Sequence, residues 1–354
     1  MELKEYHMKR LSFIAIAMLA VSSLTSTVGA VDVVNRKSGK AAQGDITAIA
    51  QLSISVKSGI GEMIEVPAND IISVRWGSEP AELNLARSAE EGGNLARALE
   101  QLKASAGGAG TNAAIKTEIE FLVARVTARV GLEQDASKLA DASKQLDSFV
   151  KGHSDNFRYF DALQILGAVQ LAAEDYAGAE SSFGKLAKAP WSDYKMAAQN
   201  STAKLAFQKG DLAAALTAYE QVLSQSGSSP GEVSRRNEAL IGKASVQLKQ
   251  GNADIALQAV AEAITKTDPE DSAVQAGAWN LKGDCLKSQG KVKEAILAYL
   301  HVPVLFEKEK VALAESLYNL AVLWPRADQP ERGLAARQEL QENYPESPWT
   351  KKLP

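Results

Sequence analysis

Two pairs of polar side chains are spaced to hold a peptide. Asn200 and Lys204 form one pair, and Asn280 and Asp284 form the other. Residues four positions apart lie on the same face of an α-helix, so each pair would present its side chains together. An asparagine amide can bond a peptide backbone, and a lysine ammonium can bind a terminal carboxylate. The spacing therefore indicates binding chemistry on helix faces.

Constellations typical of catalysis or metal binding are missing from the sequence. His7 lies within the first thirty residues, which have the pattern of a secretory signal, and His153 and His301 are isolated from each other. Two histidines with no cysteine or carboxylate at metal-ligand spacing make a poor zinc site. Cys285 is the only cysteine, and its apolar neighbours favour a buried side chain over a reactive thiol. We therefore expect no metal, no cofactor and no enzymatic activity.

The elements that must position the polar pairs are helices in a repeated arrangement. Small residues recur in pairs whose members are twelve positions apart, which predicts the crossing point of two helices joined by a tight turn. Successive pairs are 36 to 41 positions apart, except for one interval of 81, about two repeats. This period is typical of an α-solenoid, in which each helical hairpin packs only on its neighbours. The pairs are Ala86/Ala98, Gly167/Ala179, Ala203/Ala215, Ala244/Ala256, Gly283/Ala295 and Ala321/Gly333.

Turn signals separate the predicted helices. Gly210 can take the left-handed conformation that ends one helix, and Asp211 can accept hydrogen bonds from the free amides of the next. Similar openings follow at Gly93, Gly251 and Gly290. No small pair lies at the right offset in residues 111–158, so a degenerate hairpin with a lengthened turn at 131–135 is predicted there.

The pattern resembles the tetratricopeptide repeat, a pair of antiparallel helices with small residues near repeat positions 8 and 20. The copy at residues 160–193 carries Gly167, Ala179, Phe183 and a terminal Pro190. The resemblance covers residues 79–345 and implies a mainly α, right-handed solenoid of about seven hairpins over residues 78–354. It also implies a function in binding proteins or peptides.

In this family the first helix of each hairpin lines the concave groove, which implies a set of partner-binding positions here. A complete clamp for a terminal carboxylate is not expected, because Ile241, Gly242 and Ser245 stand where a second Asn and an Arg would be needed. A groove for an extended or helical peptide and an ordinary solvated helix face both stay open. The implied positions are Asn200, Lys204, Phe207, Lys249, Asn280, Asp284, Lys287, Glu315 and Tyr318.

Residues 31–77 differ from the rest of the chain. Five short runs rich in β-branched residues alternate with turns containing Gly, Ser, Pro or Asn. This pattern predicts a small all-β module, similar to an SH3-like or Sm-like barrel. Basic and acidic residues balance in this segment, and the whole chain carries a net charge of −4. Nucleic acid is therefore not an expected partner.

The first thirty residues have the pattern of a secretory signal. Lys9 and Arg10 precede an apolar run at 11–24, and small residues end with Ala30. A cleaved signal peptide over residues 1–30 is favoured, with an uncleaved membrane anchor as the alternative. We expect a non-enzymatic scaffold or adaptor of the bacterial cell envelope, most simply periplasmic. The alternatives are a self-associating architectural protein, and an enzyme with an unrecognised site.

Overall fold

The computed structural model describes residues 31–354, so the predicted signal segment lies outside the described residues. The chain begins with a five-stranded antiparallel sheet of strand order β4-β3-β2-β1-β5. A one-turn 3-10 helix, Ala68–Asp70, joins the two edge strands β4 and β5. The strands are β1 Asp32–Arg36, β2 Ala42–Ile49, β3 Ser53–Lys57, β4 Met63–Pro67 and β5 Ile71–Arg75.

The five predicted short strands are confirmed, because alternate β-branched residues form the buried side of the sheet. Val34, Ile54, Val56, Val66 and Val74 are all fully buried. The pairing shifts register within β1 and within β2, and such bulges increase the twist of a strand. A short sheet can thereby curve around its buried side.

The helices after the sheet form seven consecutive hairpins within residues 31–354, as the repeat spacing predicts. A short helix, α15, follows the last hairpin. The helices are α1 Ala81–Glu91, α2 Leu95–Gly108, α3 Ala113–Glu133, α4 Leu139–Gly152, α5 Tyr159–Ala172, α6 Tyr176–Leu186, α7 Ser192–Gln208, α8 Leu212–Leu223, α9 Pro230–Lys249, α10 Ala253–Lys266, α11 Ser272–Ser288, α12 Val292–Leu305, α13 Lys310–Arg326, α14 Pro330–Asn343 and α15 Pro348–Lys351.

The turn within a hairpin is built as its sequence predicts. Gly210 has φ of +82° and ends α7. The Asp211 side chain accepts a hydrogen bond from the Ala214 amide at 3.0 Å and begins α8. Asp175 does the same for α6 through the Gly178 amide.

Small residues are needed at the hairpin crossings, and an aromatic ring from the second helix fills the space they leave. Gly167 and Ala179 lie at the crossing of α5 and α6, and Ala179 is fully buried. A Cβ atom on Gly167 would lie 2.3 Å from the Phe183 ring. The same relation holds in hairpin 6, where a Cβ atom on Gly283 would lie 2.6 Å from the Tyr299 ring.

The second hairpin differs from its prediction at one point. α3 continues through Gly131 to Glu133, so the lengthened turn expected at 131–135 is wrong. The connection is instead a short segment with a one-turn 3-10 helix at Ala136–Lys138. Gly131 allows this because a Cβ atom there would lie 3.0 Å from Leu139 of the next helix. The absence of a side chain thus permits a close approach of α3 and α4.

The sheet and the first hairpins share one buried apolar cluster. It contains residues of β1 to β5 together with residues of α1 to α5 and the start of α7. The sheet therefore packs on the solenoid and shares its core.

Candidate inner-face site

The odd-numbered helices line the inner face of the solenoid. Each of α3, α5, α7, α9 and α11 packs directly on the next odd-numbered helix, and each even-numbered helix from α2 to α12 packs between two odd-numbered ones. Residues on the odd-numbered helices that point away from their hairpin partners therefore form one continuous inner face. We use "inner face" for this surface.

The sheet is attached to the N-terminal part of the inner face by direct hydrogen bonds. Gln51 donates to the main-chain oxygen of Ser154 at 2.7 Å, in the turn between α4 and α5. Asn69 donates to Asp193 of α7 at 3.2 Å. Lys37 lies over the Tyr194 ring, 5.9 Å from its centre. These contacts hold the sheet against the α4–α5 turn and the start of α7.

Buried arginine–carboxylate pairs occupy the inner face beneath the sheet. Arg158 is buried and donates two hydrogen bonds to Glu118, at 3.2 and 2.8 Å. Arg125 forms a two-point contact with Glu90 at 3.0 and 2.6 Å. Such geometry satisfies both charges away from water. The pairs link successive inner helices electrostatically.

Arginines set the charge state of Glu118. Burial alone would raise the pKa of this carboxyl, because it disfavours the charged form. The charge and hydrogen bonds of Arg158, with the charges of Arg87 and Arg125, outweigh burial and lower the pKa of Glu118 below its usual value. Asp161 of α5 contacts Arg158 and accepts a hydrogen bond from the Tyr194 hydroxyl, which extends this network to α7.

A cleft of about 330 Å³ lies between β5 and the inner helices. Ile72 of β5 is half exposed on one side of it, and Phe121 and Ile165 lie among the apolar residues on the other side. Lys37 and Arg235 also line the cleft. None of the nine predicted binding residues lies in it. No local pattern in the sequence indicates this cleft, because it forms where a strand meets helices that follow it much later in the chain.

Two of the predicted binding residues connect neighbouring inner helices. Asn200 of α7 is buried and donates to the main-chain oxygen of Arg235 at 2.8 Å and to Glu238 at 3.3 Å. Asn280 of α11 is buried and donates to the main-chain oxygen of Ala312 at 2.8 Å. Its amide also donates to the Glu315 carboxylate at 3.2 Å. Both asparagines thus contact a carbonyl, and a carboxylate three residues further on, in the next inner helix.

Three other predicted residues are brought together on α11 and α13. Lys287 donates to Asp284 at 2.7 Å and to Asn319 at 2.8 Å. Asp284 also accepts a hydrogen bond from the Tyr299 hydroxyl at 2.7 Å. Burial, and then the charge of Asp284, raise the pKa of Glu315 to about 7, against the opposing effects of Asn280 and Lys287. This C-terminal cluster, formed by Asn280, Asp284, Lys287, Tyr299, Glu315 and Asn319, contains a carboxyl that titrates near neutral pH.

The remaining predicted residues are more open. Lys204 and Lys249 are exposed in the last turns of α7 and α9, and Phe207 is half-buried beside an apolar cluster. Tyr318 is half-buried, and its ring lies 5.3 Å from that of Trp349. The nine residues therefore do not form one site. They divide into buried connections, a charged cluster and exposed side chains, and their role in binding stays a prediction.

The histidines and the cysteine occupy separate environments. His153 contacts Glu120 at 2.9 Å, and His301 stacks on Trp279 with ring centres 3.5 Å apart. Cys285 is buried, and burial with the charge of Asp284 raises the pKa of its thiol to about 11. Among residues 31–354, no three or more His, Cys, Asp or Glu side chains are grouped to hold a metal ion. In the same range no helix has both the length and the apolar character to span a bilayer.

Comparisons with known proteins agree with this architecture. Residues 158–321 match the family model of the tetratricopeptide repeat-like domain. No curated protein matches the sequence.

Several solved structures have a similar fold, including the following three. A tetratricopeptide repeat protein from Parabacteroides merdae is 17% identical with a TM-score of 0.51, and the match covers 77% of this chain and 95% of that one. The apo form of RapI is 11% identical with a TM-score of 0.52, covering 74% and 98%. A Rap protein complexed with Competence and Sporulation Factor is 12% identical with a TM-score of 0.50, covering 76% of each chain. The chain is therefore a tetratricopeptide repeat-like solenoid preceded by a five-stranded antiparallel sheet.

Proposed function

We propose that the protein is a non-enzymatic scaffold that binds a peptide or protein partner on the inner face of its solenoid. The observation that carries this proposal is the division of that face. Its N-terminal part forms a cleft with the sheet, its middle carries the exposed Lys204 and Lys249, and its C-terminal part carries the C-terminal cluster. Mixed polar and apolar surfaces of this kind suit an extended or helical peptide.

The similar folds support a binding function. A tetratricopeptide repeat-like domain matches the centre of the chain, and one similar structure is a Rap protein in complex with Competence and Sporulation Factor. Solenoids expose extended concave surfaces that accommodate partners. We extend to this chain only the capacity to bind through such a surface.

We further propose that the protein acts in the bacterial cell envelope after export. The N-terminal pattern of Lys9 and Arg10, an apolar run and small residues up to Ala30 supports this proposal. Fractionation of cells that produce the full chain with a C-terminal tag tests it. Recovery in the periplasmic or envelope fraction is expected, and recovery in the cytoplasm alone would contradict export.

Crosslinking in cells tests the binding proposal. The tagged full chain would be compared with two variants, Lys204→Glu/Lys249→Glu on the open inner face and Ile72→Ser in the cleft. Both variants change exposed side chains, so we expect them to fold. The matched control is Glu180→Lys/Lys185→Glu on the outer helix α6, which changes exposed charges away from the inner face.

One crosslinked partner should be recovered with the parent and the control and be reduced at least about tenfold with one of the two variants. Loss with Lys204→Glu/Lys249→Glu would locate binding on the open inner face, and loss with Ile72→Ser would locate it in the cleft. Equal recovery with all variants would contradict binding through the inner face. Self-crosslinks alone would favour the architectural alternative, and an empty capture would contradict the scaffold.

A further inference from the structure

Hairpin 2 and hairpin 7 of the solenoid touch each other. Asp135, just after α3, pairs with Glu346, just after α14, as an isolated parallel β-bridge. α13 also contacts α3 directly. Burial, and then the carboxylates of Glu339 and Glu133, raise the pKa of Tyr344 to about 12, which places Glu133 of α3 near this ring. We call this contact between hairpins 2 and 7 the seam.

The seam is built differently from the contacts between neighbouring hairpins. The apolar side chains of α3 belong to the cluster shared with the sheet, whereas Leu313 and Tyr344 belong to a separate cluster formed by α11 to α15. The seam therefore joins two cores without merging them. Because apolar burial is the main favourable term in packing, this contact has a weaker basis than those along the solenoid.

An open surface pocket of about 370 Å³ lies at the seam. Its lining is mostly polar and comes from both sides, with Gln134 following α3, and Lys310, Glu339 and Asn343 on hairpin 7. Polar contacts of this kind between two parts of one chain are ordinarily able to separate.

We propose that the seam is a clasp, which opens and closes as one unit while the hairpins on both sides stay folded. In the closed state the β-bridge between Asp135 and Glu346 joins the solenoid into a ring and fixes the width of the inner face. In the open state the hairpins keep their own cores, and hairpins 2 and 7 separate. The solenoid thus has a closed state and an open state, which differ only at this one polar contact.

A reversible crosslink across the clasp provides the test. Residues paired in a β-bridge have Cα atoms roughly 5 Å apart, which lies within the range of about 4.4–6.8 Å that a disulfide requires. The double variant Asp135→Cys/Glu346→Cys should therefore close under mild oxidation. Cys285 is buried and should not compete. The single variants Asp135→Cys and Glu346→Cys are the matched controls for the loss of each side chain.

Amide hydrogen exchange followed by mass spectrometry measures the opening. In the reduced double variant, and in the parent, the segments 134–139 and 343–347 should exchange at a common rate, faster than the centre of α3. Oxidation should slow both segments by at least about tenfold and leave the centre of α3 unchanged, because local opening exposes amides below the free energy of global unfolding.

Three results would overturn the clasp. Failure of the disulfide to form would contradict the closed contact. Exchange of the two segments at the rate of the centre of α3 would mean that the seam opens only on global unfolding. Unrelated rates in the two segments, or no slowing on oxidation, would mean that they do not open together. Oxidised single variants should exchange as their reduced forms do, since they hold no intramolecular disulfide.

Discussion

Glu118 on α3 and Glu315 on α13 are buried or largely buried carboxyls on inner helices, and their pKa values shift in opposite directions. Glu118 lies where the sheet covers the inner face, and Arg158, Arg87 and Arg125 lower its pKa. Glu315 lies in the C-terminal cluster, where burial and the charge of Asp284 raise its pKa to about 7. In the first region three arginines lie close enough to keep the Glu118 carboxylate charged. In the second region the nearby cations do not outweigh burial and the charge of Asp284.

The comparison separates two ways of connecting successive inner helices. Beneath the sheet, ion pairs such as Arg158–Glu118 cross from one inner helix to the next. In the open region, Asn280 makes the connection through a neutral amide. Removing one partner of a buried ion pair is strongly destabilising, because the other charge is left buried without a counter-charge. An amide hydrogen bond makes only a modest net contribution to the free energy of unfolding. The covered region should therefore be more sensitive to single substitutions.

Removing the charge of Glu118 should have the largest effect. Glu118→Gln keeps the shape of the side chain but leaves the positive charge of Arg158 buried, with only part of the negative charge that balances it. Loss of one partner of a buried pair typically costs about 3–5 kcal/mol. We expect a loss of this size in the free energy of unfolding at pH 7, measured by urea denaturation.

The control for this substitution lies on the same helix. Glu120→Gln removes an exposed carboxylate, and exposed changes of this kind usually stay within about 0.5 kcal/mol. If Glu118→Gln were no more damaging than Glu120→Gln, the ion pairs beneath the sheet would not be the element that separates the two regions.

The same substitution at Glu315 should have the opposite sign. The pKa of Glu315 is about 7 in the folded chain and about 4.3 in an unfolded one. Between these values the folded state binds more protons, so its stability falls as the pH rises from about 4.3 to 7. Glu315→Gln removes this cost and should stabilise the protein at pH 8 by about 2–4 kcal/mol, with most of the gain absent at pH 5.

Urea denaturation at pH 5, 6, 7 and 8 measures this effect. Glu342→Gln, which changes an exposed carboxyl on α14, should give the pH dependence of the parent. A stabilisation by Glu315→Gln that is equal at pH 5 and pH 8 would show that the charge of Glu315 is not its source.

Glycine substitutions at the hairpin crossings should separate packing from charge. In Gly167→Ala and Gly283→Ala the new Cβ atom meets the ring of Phe183 or Tyr299. Overpacking of this kind costs about 1–3 kcal/mol.

Only Gly283→Ala should also change the pH dependence of unfolding, because the Tyr299 hydroxyl donates to Asp284 beside Glu315. Gly184→Ala, with open space around its Cβ position, should stabilise by about 0.4–1 kcal/mol and is the control.

The repeated hairpins were predictable because their determinants are local. A small residue at a crossing, a glycine at a helix end and a capping side chain act within one repeat, so each is visible in the sequence. Gly131 shows the limit of this reasoning. Its sequence context indicates a turn. The lack of a side chain instead lets the last turn of α3 lie against Leu139 at the start of α4. The sequence shows that a glycine is present without showing which neighbour needs the space.

The candidate site was less predictable because it depends on contacts between distant segments. The spacing predicts Asn200 and Asn280 as inner-face residues, but their amide N–H groups donate to the next inner helix. That partner lies a whole repeat further along the chain. The cleft at Ile72 depends on where the sheet packs, and the pairing of Asp135 with Glu346 depends on the curvature of the whole solenoid. Neither is encoded by local spacing.

Asn200→Ala and Asn280→Ala should have the smallest effects on the free energy of unfolding. Their difference tests whether the amide connection near Glu315 affects the charge of that carboxyl. Each substitution removes a hydrogen bond to a main-chain oxygen, which costs about 0.5–1.5 kcal/mol. Each also removes a buried Oδ1 atom with no hydrogen-bond partner, which offsets part of that cost.

Only Asn280→Ala should alter the titration of Glu315, since the Asn280 amide opposes the rise in its pKa. The pH-dependent loss of stability should then extend to higher pH in Asn280→Ala and keep its parent position in Asn200→Ala. An identical pH profile for the two variants would contradict the link between the amide connection and the charge of Glu315.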